Sequence, residues 1–175
     1  MSQLAALALS VGVLGGLAVW VFLSVGGILI WAAFIAWGCF FQSGGDSDAL
    51  RNTIVCNIFG AVAAWLTAVI ILAIPLADKL TLPLWAGIVA GIVIWIVVYA
   101  ANIKAFAVIP ASVYGFAAVF AFILQTPEKL NLASLMSLNF NNGLIVVAVS
   151  MVIGAILGFI SGKVAAALTA KPSLA

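Results

Sequence analysis

Residues 87–101 read GIVAGIVIWIVVYAA. The run holds no charged side chain and no alternation of polar with apolar residues. A membrane β-strand would alternate, one face to lipid and the other to a polar lumen, so the stretch argues against a barrel. A helix satisfies its own backbone hydrogen bonds, as hydrocarbon requires. Extended outward to 82–102, the run reaches the roughly 20 residues that cross a bilayer core.

The rest of the chain is of the same kind. Of 175 residues, 67% are hydrophobic and 6% charged, and histidine is absent. A water-facing domain carries about 25% charged residues, so this chain cannot coat a soluble surface. Its solvent is lipid. The length leaves room for six spans with short loops and no soluble domain.

The predicted helices cover residues 4–23, 28–41, 49–74, 82–102, 105–124 and 143–168. The second is short for a full span. Gly26-Gly27, the Gln42-Ser43-Gly44-Gly45 stretch, Pro75 and Lys104 mark the breaks. Pro110 falls in the first turns of the fifth helix, where proline is tolerated. The longest loop, 125–142, contains a segment at 132–138 able to form a short interfacial or re-entrant helix. Nothing basic precedes the first apolar run, which is longer than a signal-peptide core of about 7–15 residues. It reads as a retained first helix.

The run at 87–101 also has a counterpart. Helix four carries Gly87-x-x-x-Gly91-x-x-x-Trp95, and helix one carries Gly12-x-x-x-Gly16-x-x-x-Trp20. Helix two reads Trp31-Ala32-Ala33-Phe34-Ile35-Ala36, and helix five reads Pro110-Ala111-Ser112-Val113-Tyr114-Gly115. Helix three has Gly60-Ala61 with Trp65 following, and helix six has Gly154-Ala155 with Phe159 at the same interval. The matches run in order, one with four, two with five, three with six. Residues 1–78 and 79–170 therefore read as two three-helix repeats of one membrane domain. A three-helix unit has odd parity, so its second copy enters the bilayer from the opposite side. The expected fold is all-α and polytopic, with six transmembrane helices in a 3+3 inverted repeat, an architecture common in transporters.

With this doubled glycine and aromatic pattern, above all at 31–45, at 109–120 and in the glycines of helices three and six, nearly the whole chain resembles the DUF1097 family of small bacterial inner-membrane proteins. The resemblance implies a membrane location. It implies no established activity, and it supplies no functional residues.

Six helices put both termini on one side. That side collects Arg51, Lys104, Lys163 and Lys171, and the other holds Lys79 and Lys129. An excess of basic residues favours the cytoplasm, so both termini are expected there, in the bacterial inner membrane.

The glycines at 12, 16, 87 and 91, with Gly154, Gly158 and Gly162 along helix six, form small-residue stripes where a second helix can approach closely. They serve packing within one copy, a homo-oligomer interface, or a backbone-lined pore wall. Asn57, Ser112 and Tyr114 are the candidate pathway residues. A polar group in a span either ties two helices together or meets a passing polar solute. Cys39 and Cys56 read as small core residues, since no CxxC or Cys/His cluster accompanies them. No metal or cofactor is expected.

No ionisable residue lies at the middle of a span, where ion-coupled pumps place them. No Walker motif, nucleophile arrangement or carboxylate pair is visible, so enzyme activity is not expected. A net charge of +2 gives no reason to expect a nucleic-acid partner. The expected partners are the lipid bilayer, further copies of the chain and a small neutral solute. The functional expectation is a channel or facilitator for that solute, the alternative a non-transporting scaffold or accessory subunit.

Overall fold

The computed structural model describes residues 1–169; Lys171, counted above among the basic residues of the terminal side, lies outside them. The described residues form helices and turns, with no strand. Eight α-helices follow one another: α1 (Gln3–Val25), α2 (Ile30–Gln42), α3 (Ser47–Ala73), α4 (Ala77–Leu80), α5 (Leu82–Tyr99), α6 (Ile109–Gln125), α7 (Leu132–Leu135) and α8 (Gly143–Leu168).

Local chemistry sets these boundaries. The Ser2 hydroxyl accepts from the amide of Ala5 at 3.3 Å and opens α1. Gly26 ends that helix at φ 73°, a conformation that costs a side-chain-bearing residue dearly. Asp46 caps α3 by accepting from the Ala49 amide at 2.7 Å. Pro83 and Pro110 lie in the first turns of α5 and α6, where a missing N–H costs least. The fifth predicted helix was expected from residue 105, but 104–106 form a 3₁₀ turn and α6 begins at Ile109. Pro110 has no N–H for the carbonyl of Phe106, so the helix cannot run unbroken through it. The segment expected at 132–138 is the single turn α7, closed by Met136.

Among the described residues, four helices are long and apolar enough to cross a membrane: Gln3–Val25, Ser47–Ala73, Leu82–Asn102 and Gly143–Leu168. The other two apolar helices, Ile30–Gln42 and Ile109–Gln125, have 13 and 17 residues. At 1.5 Å per residue these are about 20 and 25 Å long, against a hydrocarbon core of about 30 Å.

Side-chain contacts fix the directions. Trp85 at the start of α5 donates to the Ile71 carbonyl near the end of α3, and Phe106, just beyond α5, stacks on Phe59. α5 therefore runs back along α3. Gly143, opening α8, lies against Ile123 and Phe122 at the end of α6. Ser10 of α1 donates to the Ser161 carbonyl near the end of α8 at 2.8 Å. The long helices thus alternate in direction, and α1 begins at the same end of the bundle where α8 finishes. This is called the terminal end. It carries Asp46, Asp48, Arg51, Lys104 and Lys163; the far end carries Asp78, Lys79, Glu128 and Lys129.

The core is built from α2, α3, α6 and α8. Ala32, Ala36, Ala61, Ala64, Val119, Ile123, Val147, Met151 and Ala155 are fully buried in it. α1 lies on α8 and α5 lies on α3, both with broad apolar faces turned outward. At the terminal end an open cleft of about 620 Å³ is walled by Leu7, Phe41, Phe159 and Lys163, with Gln3 and Asp46 at its rim.

Candidate functional site

Two helix crossings bring backbones into direct contact. In the first, α3 crosses α6. A Cβ on Gly60 would collide with the Ser112 carbonyl, and a Cβ on Gly115 would collide with the Asn57 carbonyl. Each glycine nests in one turn of the other helix, Gly60 between Ser112 and Phe116, Gly115 between Asn57 and Ala61. In the second crossing, α8 meets α2. A Cβ on Gly154 would collide with the Ala33 carbonyl, and one on Gly158 would lie 2.9 Å from the Phe40 ring and 3.0 Å from that of Trp37. Small residues let helices approach this closely in lipid, where packing rather than apolar burial drives association.

Asn57 and Ser112 sit at the first crossing. α3 and α6 run in the same direction, so both residues precede their glycine by three positions and lie on its terminal side. Asn57 is 1% exposed and Ser112 fully buried. Neither the Asn57 amide nitrogen and oxygen nor the Ser112 hydroxyl has a hydrogen-bond partner. The structure therefore brings together two of the three predicted pathway residues and gives Asn57 no interhelical tie.

The other buried polar side chains are paired. The Ser150 hydroxyl accepts from the Leu29 amide at 2.9 Å, ahead of α2, and donates to Val146. Ser161 accepts from the Trp37 indole at 3.0 Å and donates to Gly158. Thr67 donates to Ala63. Asn142 caps α8 through its oxygen and donates to the Leu135 and Ser137 carbonyls through its nitrogen. An unpaired buried polar group costs about 1–3 kcal/mol, so the Asn57–Ser112 pair is the exception among the described residues.

Tyr114 does not join that pair. It lies two residues beyond Ser112, about 200° around the helix, half-buried, and its hydroxyl meets Gln42 Oε1 at 3.0 Å. It links α6 to the end of α2. Both cysteines are buried and free, as expected of core residues. They lie with Ala111 in a small cluster on the terminal side of the crossing. Thr53 donates to Cys39 Sγ at 3.9 Å, and Cys56 donates to the Ala105 carbonyl at 3.6 Å.

The predicted glycine stripes divide. Gly154 and Gly158 make the α2–α8 crossing, and Gly162 has only Phe40 nearby, at 4.0 Å. Gly12, Gly16, Gly87 and Gly91 have open space where a Cβ would stand. They face out of the bundle beside Trp20 and Trp95, which are 67% and 65% exposed. These two pairs therefore do not pack the single copy together. The reciprocal pair Gly60 and Gly115 was not singled out as a contact. Its signal was available in the matched spacing Asn57-x-x-Gly60 and Ser112-x-x-Gly115.

The family model for DUF1097, described as a protein of unknown function, matches residues 8–166. No curated protein and no solved structure matches the chain.

Proposed function

The chain belongs to the DUF1097 family, and from that premise we propose that it is a membrane channel or facilitator for a small neutral solute, with six membrane passes in a three-plus-three inverted repeat. The observation that carries this reading is the buried, unpartnered pair Asn57 and Ser112 at the α3–α6 crossing. Unpaired polar groups weaken a fold, and they persist where they serve another purpose.

The repeat is supported by the position of the crossings. The sequence correspondence pairs Gly60 with Gly154 and Ser112 with Ala33. Gly60 abuts the Ser112 carbonyl and Gly154 abuts the Ala33 carbonyl, so corresponding residues make corresponding contacts. The two short apolar helices, α2 and α6, are the second helix of each half. Paired short segments at matching places in two halves point to the binding site of a repeat transporter. Ser112 lies in the first turn of one of them.

In this reading the terminal end faces the cytoplasm of a bacterial inner membrane. Arg51, Lys104 and Lys163 stand there, against Lys79 and Lys129 at the far end. The scaffold alternative draws on the outward stripes Gly12/Gly16 and Gly87/Gly91, which offer flat faces to a partner helix or a second copy. A stoichiometric foreign partner retained in mild detergent would favour it; a homo-oligomer alone would favour the facilitator.

Stopped-flow light scattering of proteoliposomes under glycerol, urea and water gradients tests the proposal against empty liposomes. Faster equilibration for at least one of them is expected. No acceleration for any, with correctly inserted protein, would overturn the reading and leave the scaffold.

A further inference from the structure

A row of polar side chains leads toward Asn57 from the terminal end. At the terminal end Ser43 Oγ lies 4.0 Å from Cys39 Sγ, and Thr53 donates to the same sulfur. Thr53, Cys56, Asn57 and Gly60 then follow at helical spacing on one buried face of α3. Beyond Gly60 the buried polar side chain of α3 is Thr67, whose hydroxyl is spent on the Ala63 carbonyl of its own helix. Ala61, Ala64 and Ala68 of α3 and Phe116, Val119 and Ile123 of α6 continue the seam as apolar core. The polar groups form a buried row that ends at Asn57 and Ser112.

The groups at its end select a ligand chemistry. A carboxamide offers two donors and an acceptor side by side, and a serine hydroxyl offers one donor and two lone pairs. No charged side chain lies on this face, so nothing compensates an ion. The first turn of α6 adds the positive end of a helix dipole, which favours a carbonyl oxygen. A primary amide or urea meets all of these: its N–H and C=O pair with the Asn57 amide through two parallel bonds, leaving further groups for Ser112. A vicinal diol can also meet the amide through two hydroxyls, so what sets a polyol such as glycerol apart from urea is its greater bulk. The crossing is closed here, with backbones touching at both glycines, so the ligand is limited to a few heavy atoms.

We propose that Asn57 and Ser112 form a binding site for a small uncharged amide of the urea type, reached from the terminal end past Cys39, Thr53 and Cys56. This rests on the facilitator reading and names its substrate class. The test reads binding rather than flux. In a Cys39→Ala variant Cys56 is the sole cysteine, and its modification by methyl methanethiosulfonate is timed in detergent with urea, with formamide, with glycerol at equal concentration, and without additive. Urea and formamide are expected to slow modification by the factor 1 + [L]/Kd of a single occupied site. Glycerol is expected to leave the rate unchanged. The protection is expected to vanish in Asn57→Leu, and in Ser112→Ala should the first variant lose its monodisperse fold. Equal protection by glycerol, protection that survives both variants, no protection, or a Cys56 unreactive throughout would each overturn the inference. Protection without flux in proteoliposomes would leave the site standing and remove the facilitator; flux without protection would do the reverse.

Discussion

At the α3–α6 crossing, Gly60 rests on the carbonyl of Ser112; at the α2–α8 crossing, Gly154 rests on the carbonyl of Ala33. The residue three before Gly60 is Asn57, and the residue three before Gly154 is Met151. Both are buried, at 1% exposure each. One crossing thus holds an amide and a hydroxyl without partners where the other holds a thioether and a methyl. The second crossing packs as closely with apolar side chains at these two positions, so close approach does not require polar groups there. What the first gains from Asn57 and Ser112 is not packing. Beside the α2–α8 crossing the polar groups Ser150 and Ser161 bond to Leu29 and Trp37 and hold α2 in place. Ser150 and Ser161 are structural at one crossing and Asn57 and Ser112 unpartnered at the other, and that contrast underlies the functional reading.

The comparison breaks first at the glycines. Gly60→Ala, Gly115→Ala and Gly154→Ala each place a methyl on a backbone carbonyl that has no room to move, and each is expected to cost about 3 kcal/mol or more. Heating in detergent, followed by loss of the monodisperse species, measures this. Similar losses at all three would bear out crossings of equal tightness. A harmless Gly60→Ala beside a damaging Gly154→Ala would show that the α3–α6 seam is loose.

Ser161→Ala sharpens the structural side. It strands the Trp37 indole N–H and is expected to cost about 1–3 kcal/mol in the same assay. Asn57→Leu sharpens the other side. Removing an unpaired amide in favour of an apolar group of similar size is expected to leave stability unchanged or raise it by about 1 kcal/mol. A large loss would mean that Asn57 has a structural partner after all. The smallest effect is expected at Gly12→Ala and Gly87→Ala, within about 0.5 kcal/mol for the single copy. Loss of a homo-oligomer in these variants, with the single copy intact, would assign the outward stripes to assembly.

Much of the fold was legible in the sequence because hydropathy and breakers are local. The first predicted span, 4–23, lies within Gln3–Val25, and the sixth, 143–168, coincides with α8. Gly26, Asp46, Pro110 and Asn142 end or begin helices where their backbone chemistry demands. Facing was not legible. A helix that is apolar all round shows no periodic stripe to separate its lipid side from its protein side. The most conspicuous motifs, Gly12/Gly16 and Gly87/Gly91, therefore suggested packing and instead point outward. The contacts that hold the bundle belong to Gly60, Gly115 and Gly154, and they emerge only when two helices are placed together. Asn57 and Ser112 stood out as polar residues in apolar spans, and the tertiary crossing joined them. Tyr114 shared that signal, but its position on α6 turns it toward Gln42.

The measurement that bears most directly on the account is solute flux through proteoliposomes carrying wild-type protein or Asn57→Leu at matched density, for whichever solute the wild type accelerates. The account predicts that Asn57→Leu, folded and monodisperse, falls to the rate of empty liposomes. Flux equal to the wild type would contradict it and take the α3–α6 crossing out of the pathway.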